Sequence, residues 1–302
     1  VRRIAALLLL AAALPAAALE PIQVSPSVYY FRGESGVPSR ENRGHTSNAG
    51  FVVTSEGVVV FDALGSPVLG RELLEAVRKV TPAPVRRVIV SHYHADHFYG
   101  LAALKDAGAE IWAQDAGRAY LASDAAQARL AERRELLAAA DLRLVPADRW
   151  LAGGESFRLG ALTFRLIPVG PAHTPEDLAM AVEEEGVLFV GDLMFTGRLP
   201  FVGDADSKAW IAAIDRVIAL NPKILVGGHG DVSRDAAADL RLTRDYLAYL
   251  RETMGAAAAE LEDFDAAYAK TDWSRFEKLP AFAEANRRNA YNTYIRMQGG
   301  DR

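Results

Sequence analysis

No cysteine occurs among the 302 residues. That absence excludes disulfides and thiol nucleophiles, and it leaves any metal site to be built from nitrogen and oxygen ligands. An excess of basic charge is missing too: 34 Lys and Arg stand against 39 Asp and Glu, a formal net charge of −5. Phosphate binding needs a basic surface, so nucleic acid is not an expected partner. After residue 18 no apolar run approaches the ~20 residues that a membrane-spanning helix requires. Neither a fixed-period repeat nor a linker interrupts the chain. Histidine is sparse at 6 residues, yet three fall within "SHYHADHFYG", residues 91–100. Half of the residues are apolar and 24% charged, the balance of a globular chain with a sizeable core.

The first eighteen residues read as a processing signal. Arg2 and Arg3 form a basic start, Ile4 to Leu14 an apolar run, and Ala16-Ala17-Ala18 after Pro15 a small-residue cleavage pattern. The alternative is an uncleaved anchor, for which the apolar run is short. The expectation is export to the periplasm or beyond, cleavage near Ala18, and one domain over residues 19–302.

Hydrophobic patterning gives the elements. Residues 21–31 read as an edge strand broken by proline, and "AGFVVTSEGVVVFDA" as a hairpin. A helix follows, with Ser66 as its cap and Pro67 at its first position. "PVRRVIV" is a short buried strand that delivers "SHYHADH" at its C-terminal end. A helix near 98–107, the strand "EIWA", and one long Ala/Arg/Glu-rich helix around 114–140 come next. That helix either covers a functional face or coats the sheet. "ESFRLGALTFRLIPV" reads as a second hairpin, and "LAMAVEEEGVLFV" as two strands around an acidic turn. Helices over 206–220 and 233–258 flank the strand "KILVGG", and the last forty residues are mostly helical. Strands dominate first and alternate with helices later, which predicts two sheets with helices outside.

In an extended segment, residues two apart point the same way, so His92 and His94 can converge on one ion. Asp96 and His97, past a turn, can face a second. The competing reading, a solvated polar loop, gives four metal-capable side chains no reason to cluster. His173 in "GPAHTPEDL", Asp192 in "FVGDL" and His229 in "VGGHGD" each follow a β-run and sit near glycine, where α/β sheets gather functional groups. His45 is left over, as a loop residue or a substrate contact. Arg198 fits either a contact to an anionic substrate group or a surface salt bridge. Tyr93 is expected to pack or to face the rim of the site, and Tyr246, Tyr249, Trp273 and Phe276 to pack the C-terminal helices.

"HYHADH" followed by His173, Asp192 and His229 resembles the signature of the metallo-β-lactamase superfamily, over nearly all of residues 45–232. The resemblance implies an αββα four-layer sandwich, here with extra C-terminal helices, and metals at one edge. It implies His92, His94 and His173 at a first metal, Asp96, His97 and His229 at a second, and Asp192 bridging them. Asp62, in "VVVFDALG", matches an early buried aspartate that supports the site; the plainer reading is a turn residue. "NRGHTSNAGFVV", "GDLMFTGRLP" and the helical C-terminus most resemble the exported SoxH-type proteins, the quinoprotein relay system zinc metallohydrolases.

Two divalent ions about 3.5–4 Å apart share a hydroxide near neutral pKa, which attacks a carbonyl carbon. Asp96 is expected to orient it. Zinc suits the imidazole-rich set, and iron or manganese is compatible with it. A bridging aspartate resembles the glyoxalase II-type thioester hydrolases, so the expected substrate is a thioester or other small acyl compound. The alternatives are β-lactam hydrolysis and a non-catalytic periplasmic metal-binding accessory protein.

Overall fold

The structure is a computed structural model, and it describes residues 19–203 and 205–300. The expected leader at 1–18 lies outside the described residues. The first sheet runs in the order β1 (Ile22–Gln23), β2 (Val28–Phe31), β3 (Ala49–Thr54), β4 (Gly57–Phe61), β5 (Val85–Ile89), β6 (Glu110–Gln114), β7 (Arg149–Leu151). It is antiparallel through β4 and parallel from β4 to β7. The second sheet comprises β8 (Glu155–Leu159), β9 (Leu162–Pro168), β10 (Leu178–Val182), β11 (Val187–Phe195) and β12 (Ile224–His229), in spatial order 12-11-10-9-8. Only its β11–β12 pair is parallel.

Strand alternation builds three apolar layers. Val59 and Phe61 of β4 meet Phe164, Met180 and Phe189 of the other sheet in a core between the sheets. Val58 and Val60 face the other way, onto Leu69 and Leu73 of α1 (Pro67–Val80) and onto α3 (Leu101–Asp106), which follows the one-turn α2 (Ala95–Phe98). On the far side, Leu188 and Val190 pack under α6 (Ser207–Ala219) and α7 (Ala236–Ala259). The result is the expected four-layer αββα sandwich. The C-terminal helices are present as α8 (Phe264–Lys270) and α9 (Phe282–Gln298), and Tyr246, Tyr249, Trp273 and Phe276 pack them down as expected. No helix among the described residues is long and apolar enough to cross a membrane.

Three expectations need correction. The long helix around 114–140 is two, α4 (Gly117–Leu121) and α5 (Asp124–Leu137), because the Ser123 side chain accepts from the Ala126 amide at 3.2 Å and starts a new helix. The helix near 98–107 likewise divides into α2 and α3. Asp192 and His229 do not follow their strands but lie within them, since β11 continues to Phe195 and β12 ends on His229 itself.

Candidate metal centre

Two groups of donors form where the parallel strands end. His92, His94, His173 and Asp192 place one ligand atom each within 4.8 Å of one another, and Asp96, His97 and His229 do the same. β5 delivers His92 and His94, and α2 carries Asp96 and His97. The β9–β10 loop supplies His173, and β11 and β12 supply Asp192 and His229. All seven residues singled out from the sequence are thus brought to one place.

Asp192 sits between the groups. Its Oδ2 lies 3.3 Å from His173 Nε2 and 3.9 Å from His92 Nε2. Its Oδ1 lies 3.1 Å from His97 Nε2 and 3.3 Å from His229 Nε2. Asp96 Oδ2 is 3.6 Å from His229 Nε2 and 4.0 Å from His97 Nε2. Gly191, at φ 53°, bends β11 toward Ser91, a conformation that L side chains rarely adopt. A Cβ at Gly228 would collide with Asp192 Oδ1, so the neighbouring strand has to be bare at that point.

The ring orientations are fixed from behind. Asp62 is buried, with φ 61°, and its carboxylate accepts from the Ser91 amide and hydroxyl at 2.7 Å each. It also meets His97 Nδ1 at 2.8 Å, which leaves Nε2 facing the centre. Ser91 Oγ lies 2.9 Å from His92 Nδ1, and the Thr46 carbonyl accepts from His229 Nδ1 at 2.7 Å, so these rings also turn Nε2 inward. Asp62 is therefore a support for the site and not merely a turn residue.

Burial pushes His92 well below the ordinary imidazole range, His173 down to about 3, and His94 down as well. These rings are neutral at pH 7, with lone pairs free to ligate. Burial also opposes charge on His97, but Asp192, Asp96 and Asp62 outweigh it and hold its proton well above the usual range. Burial would raise Asp192, yet His229 and His97 keep it ionised well below the carboxylate range. His92 Nε2, His97 Nε2 and Asp192 Oδ1 are buried, and none has a hydrogen-bond partner of sound geometry. His173 Nε2 and His94 Nδ1 lie only 2.9 Å apart. Crowded, unsatisfied donors of this kind are costly unless a cation sits among them, so the residues present fit divalent metal ions.

A cavity of about 280 Å³ opens over His94, Asp96, His173, Asp192 and His229. Both readings of Arg198 fall away here, while of the two readings of His45 the loop residue holds. Arg198 is neither a surface ion pair nor part of the cavity wall. It is buried behind His229, its Cζ 5.4 Å from the Phe201 ring centroid, with Nε and Nη2 unpartnered. His45 is outside both donor groups and the cavity, and burial lowers its pKa to about 4. Tyr93 is buried against Phe98 and Trp150.

Sequence reasoning missed the supports. Thr46 Oγ1 donates to Asp96 Oδ2 at 3.0 Å, and Asn48 Nδ2 donates to the Gly227 and Gly230 carbonyls at 2.9 Å each. Asp177, raised by burial to about 8, accepts from the Thr174 amide and hydroxyl and braces the His173 loop. The signal available was "HTSN", a run of small polar residues directly before a buried strand.

Comparison with known proteins agrees with this geometry. Residues 42–229 match the model of the metallo-beta-lactamase superfamily. A linear primary-alkylsulfatase of Pseudomonas sp. is 23% identical over 235 residues, 65% of this chain and 44% of that protein. A type 2 metallo-beta-lactamase of Bacillus cereus is 27% identical over 216 residues, 70% of this chain and 74% of that one. A hydroxyacylglutathione hydrolase of Haemophilus influenzae is 28% identical over 150 residues, 47% and 68% of the two chains. Among solved structures, a stereoselective inverting sec-alkylsulfatase from Pseudomonas sp. superposes with a TM-score of 0.72 at 18% identity, over 93% of this chain and 50% of that one. The chain thus spans about half the length of the alkylsulfatases it matches. With a family match over more than half of its length, this chain belongs to the metallo-beta-lactamase superfamily.

Proposed function

We propose that the chain is an exported, dinuclear metal-dependent hydrolase of thioesters or other small acyl compounds. The observation that carries this reading is the division of Asp192 between the two donor groups, one carboxylate oxygen toward each. His92, His94 and His173 would hold the first ion and Asp96, His97 and His229 the second, with Asp192 offering one carboxylate oxygen to each. Zinc is the expected metal, since imidazole-rich oxygen and nitrogen sets suit it. Such a pair supplies Lewis acidity and acidifies water enough for attack near neutral pH.

The chain's own residues do the rest. Neutral His92, His94 and His173 keep lone pairs available, while Asp62 and the Thr46 carbonyl fix the tautomers of His97 and His229. Asp96, held by Thr46 and reaching the cavity, is placed to accept a proton from attacking water. Water adds to the carbonyl carbon, the carbon–sulfur bond breaks, and the thiolate leaves to be protonated. The likeness to a hydroxyacylglutathione hydrolase favours this substrate class. The likeness to a type 2 metallo-beta-lactamase favours β-lactams as a second class.

Metal-loaded protein should carry two divalent ions by elemental analysis and turn over thioesters in a panel that includes a chromogenic cephalosporin and an alkyl sulfate. Asp192→Asn should lose metal and turnover while its circular dichroism is unchanged. Two bound ions with no turnover of any compound would instead support the accessory-protein reading, and cephalosporin turnover alone the β-lactamase reading. Export rests on residues 1–18, and N-terminal sequencing of exported protein should find a start near Leu19.

A further inference from the structure

The cavity over the donor groups is charged in a way that the donor groups do not explain. Among the described residues its only lining carboxylates are Asp96 and Asp192, both within the donor cage. Three arginines face them: Arg129 and Arg133 from α5, and Arg288 from α9. Arg129 is spoken for, since its guanidinium pairs with Glu132 at 2.7 Å. Neither Arg133 nor Arg288 makes a side-chain hydrogen bond or ion pair among the described residues, and Arg133 Nε is buried without a partner. The chain as a whole is negative, so two unpaired guanidiniums at one concave mouth run against its composition. Tyr120 and Phe201 add an aromatic wall beside them. Arg133 lies within residues 42–229 and Arg288 outside them, so the C-terminal extension completes the pair.

A guanidinium at the mouth of a cleft, as with half-buried Arg133 and exposed Arg288, is well satisfied by a planar anion that takes two of its N–H groups. We propose that the cavity selects acyl substrates whose tail ends in a carboxylate, gripped by Arg133 and Arg288 while the reacting carbonyl lies over the donor cage. The apolar stretch of the tail runs along Tyr120 and Phe201. This rests on the acyl-hydrolase reading above for the reacting end and on the cavity alone for the charged end. The role is one of specificity: neither arginine touches the reacting atoms.

The test uses length-matched thioesters of N-acetylcysteamine on the metal-loaded protein: succinyl against butyryl, glutaryl against valeryl, adipyl against hexanoyl. At one chain length or more the carboxylate member should have the higher kcat/KM. Arg133→Gln/Arg288→Gln should lower that value at least about tenfold, chiefly through KM, and leave the neutral partner within about twofold. Arg287→Gln on the same helix, whose guanidinium pairs with Asp265 and does not line the cavity, should change neither. Equal turnover of charged and neutral members at every length, or equal loss of both in the double variant, overturns the proposal. Calorimetric binding of the matching dicarboxylic monoamides and neutral amides separates it from the activity itself. If no thioester is cleaved but the monoamides bind at least about tenfold more weakly to the double variant, the anion site stands and the acyl-hydrolase reading falls. If the monoamides bind the variant and the parent protein alike, the anion site falls.

Discussion

At the scale of single residues, His97 sets the proton balance of the centre. Three carboxylates, Asp192, Asp96 and Asp62, hold its imidazolium against the cost of burial. A ligand must be deprotonated, so an ion entering the second donor group has to displace that proton. The sign follows: below the raised pKa of His97, affinity for that ion climbs with pH, by up to about tenfold per unit for one proton. Calorimetric titration of metal-free protein with zinc in buffers of different ionisation enthalpy should register a proton released at pH 7. Asp62→Asn keeps the side chain's size and suits the left-handed backbone at φ 61°, but removes the charge behind His97. It should release fewer protons and weaken the second ion about 10–100-fold, with the first ion far less affected.

At the scale of elements, the α9 extension is joined to the site through Asn289. Its Oδ1 accepts from the Val202 amide at 2.9 Å, and its Nδ2 donates to the Pro200 carbonyl at 2.7 Å and to Tyr246 Oη at 3.1 Å. Asn289 thus moors the segment that carries Phe201 into the cavity. Asn289→Ala strands a buried amide and carbonyl and should cost about 2–4 kcal/mol in denaturant unfolding, with KM rising more than kcat falls. The sequence foretold elements unevenly, for physical reasons. The short apolar runs "GVVVF" and "LAMAV" resolve into two buried faces, so sheets and layers were legible. All seven donors were legible because their residue types have few other uses at that spacing. The break at Ser123 was not, because Ala, Arg and Glu favour helix on both sides of it. Nor were Arg133 and Arg288: 155 positions separate them, and nothing local marks two arginines as sharing a cavity.

At the scale of the whole molecule, both donor groups draw on both sheets. His92, His94, Asp96 and His97 come from the end of the first, and His173, Asp192 and His229 from the second. Ions held there bind only the folded state. At a hundredfold excess over Kd a bound ligand adds about 2.7 kcal/mol to stability, and each kcal/mol moves the melting temperature of a chain this large by about 2–4 °C. Chelation should therefore lower the melting temperature by roughly 5–10 °C for each ion removed, without unfolding the protein at room temperature, as calorimetry would show.

The seam between the sheets is also a seam in the chain. Exposed Ala152, Gly153 and Gly154 join β7 to β8, and every donor before them is incomplete without those after. A nick at that junction would yield two pieces, neither holding a complete donor group, and recovery of two bound zinc ions would then count the pairs that had found each other again.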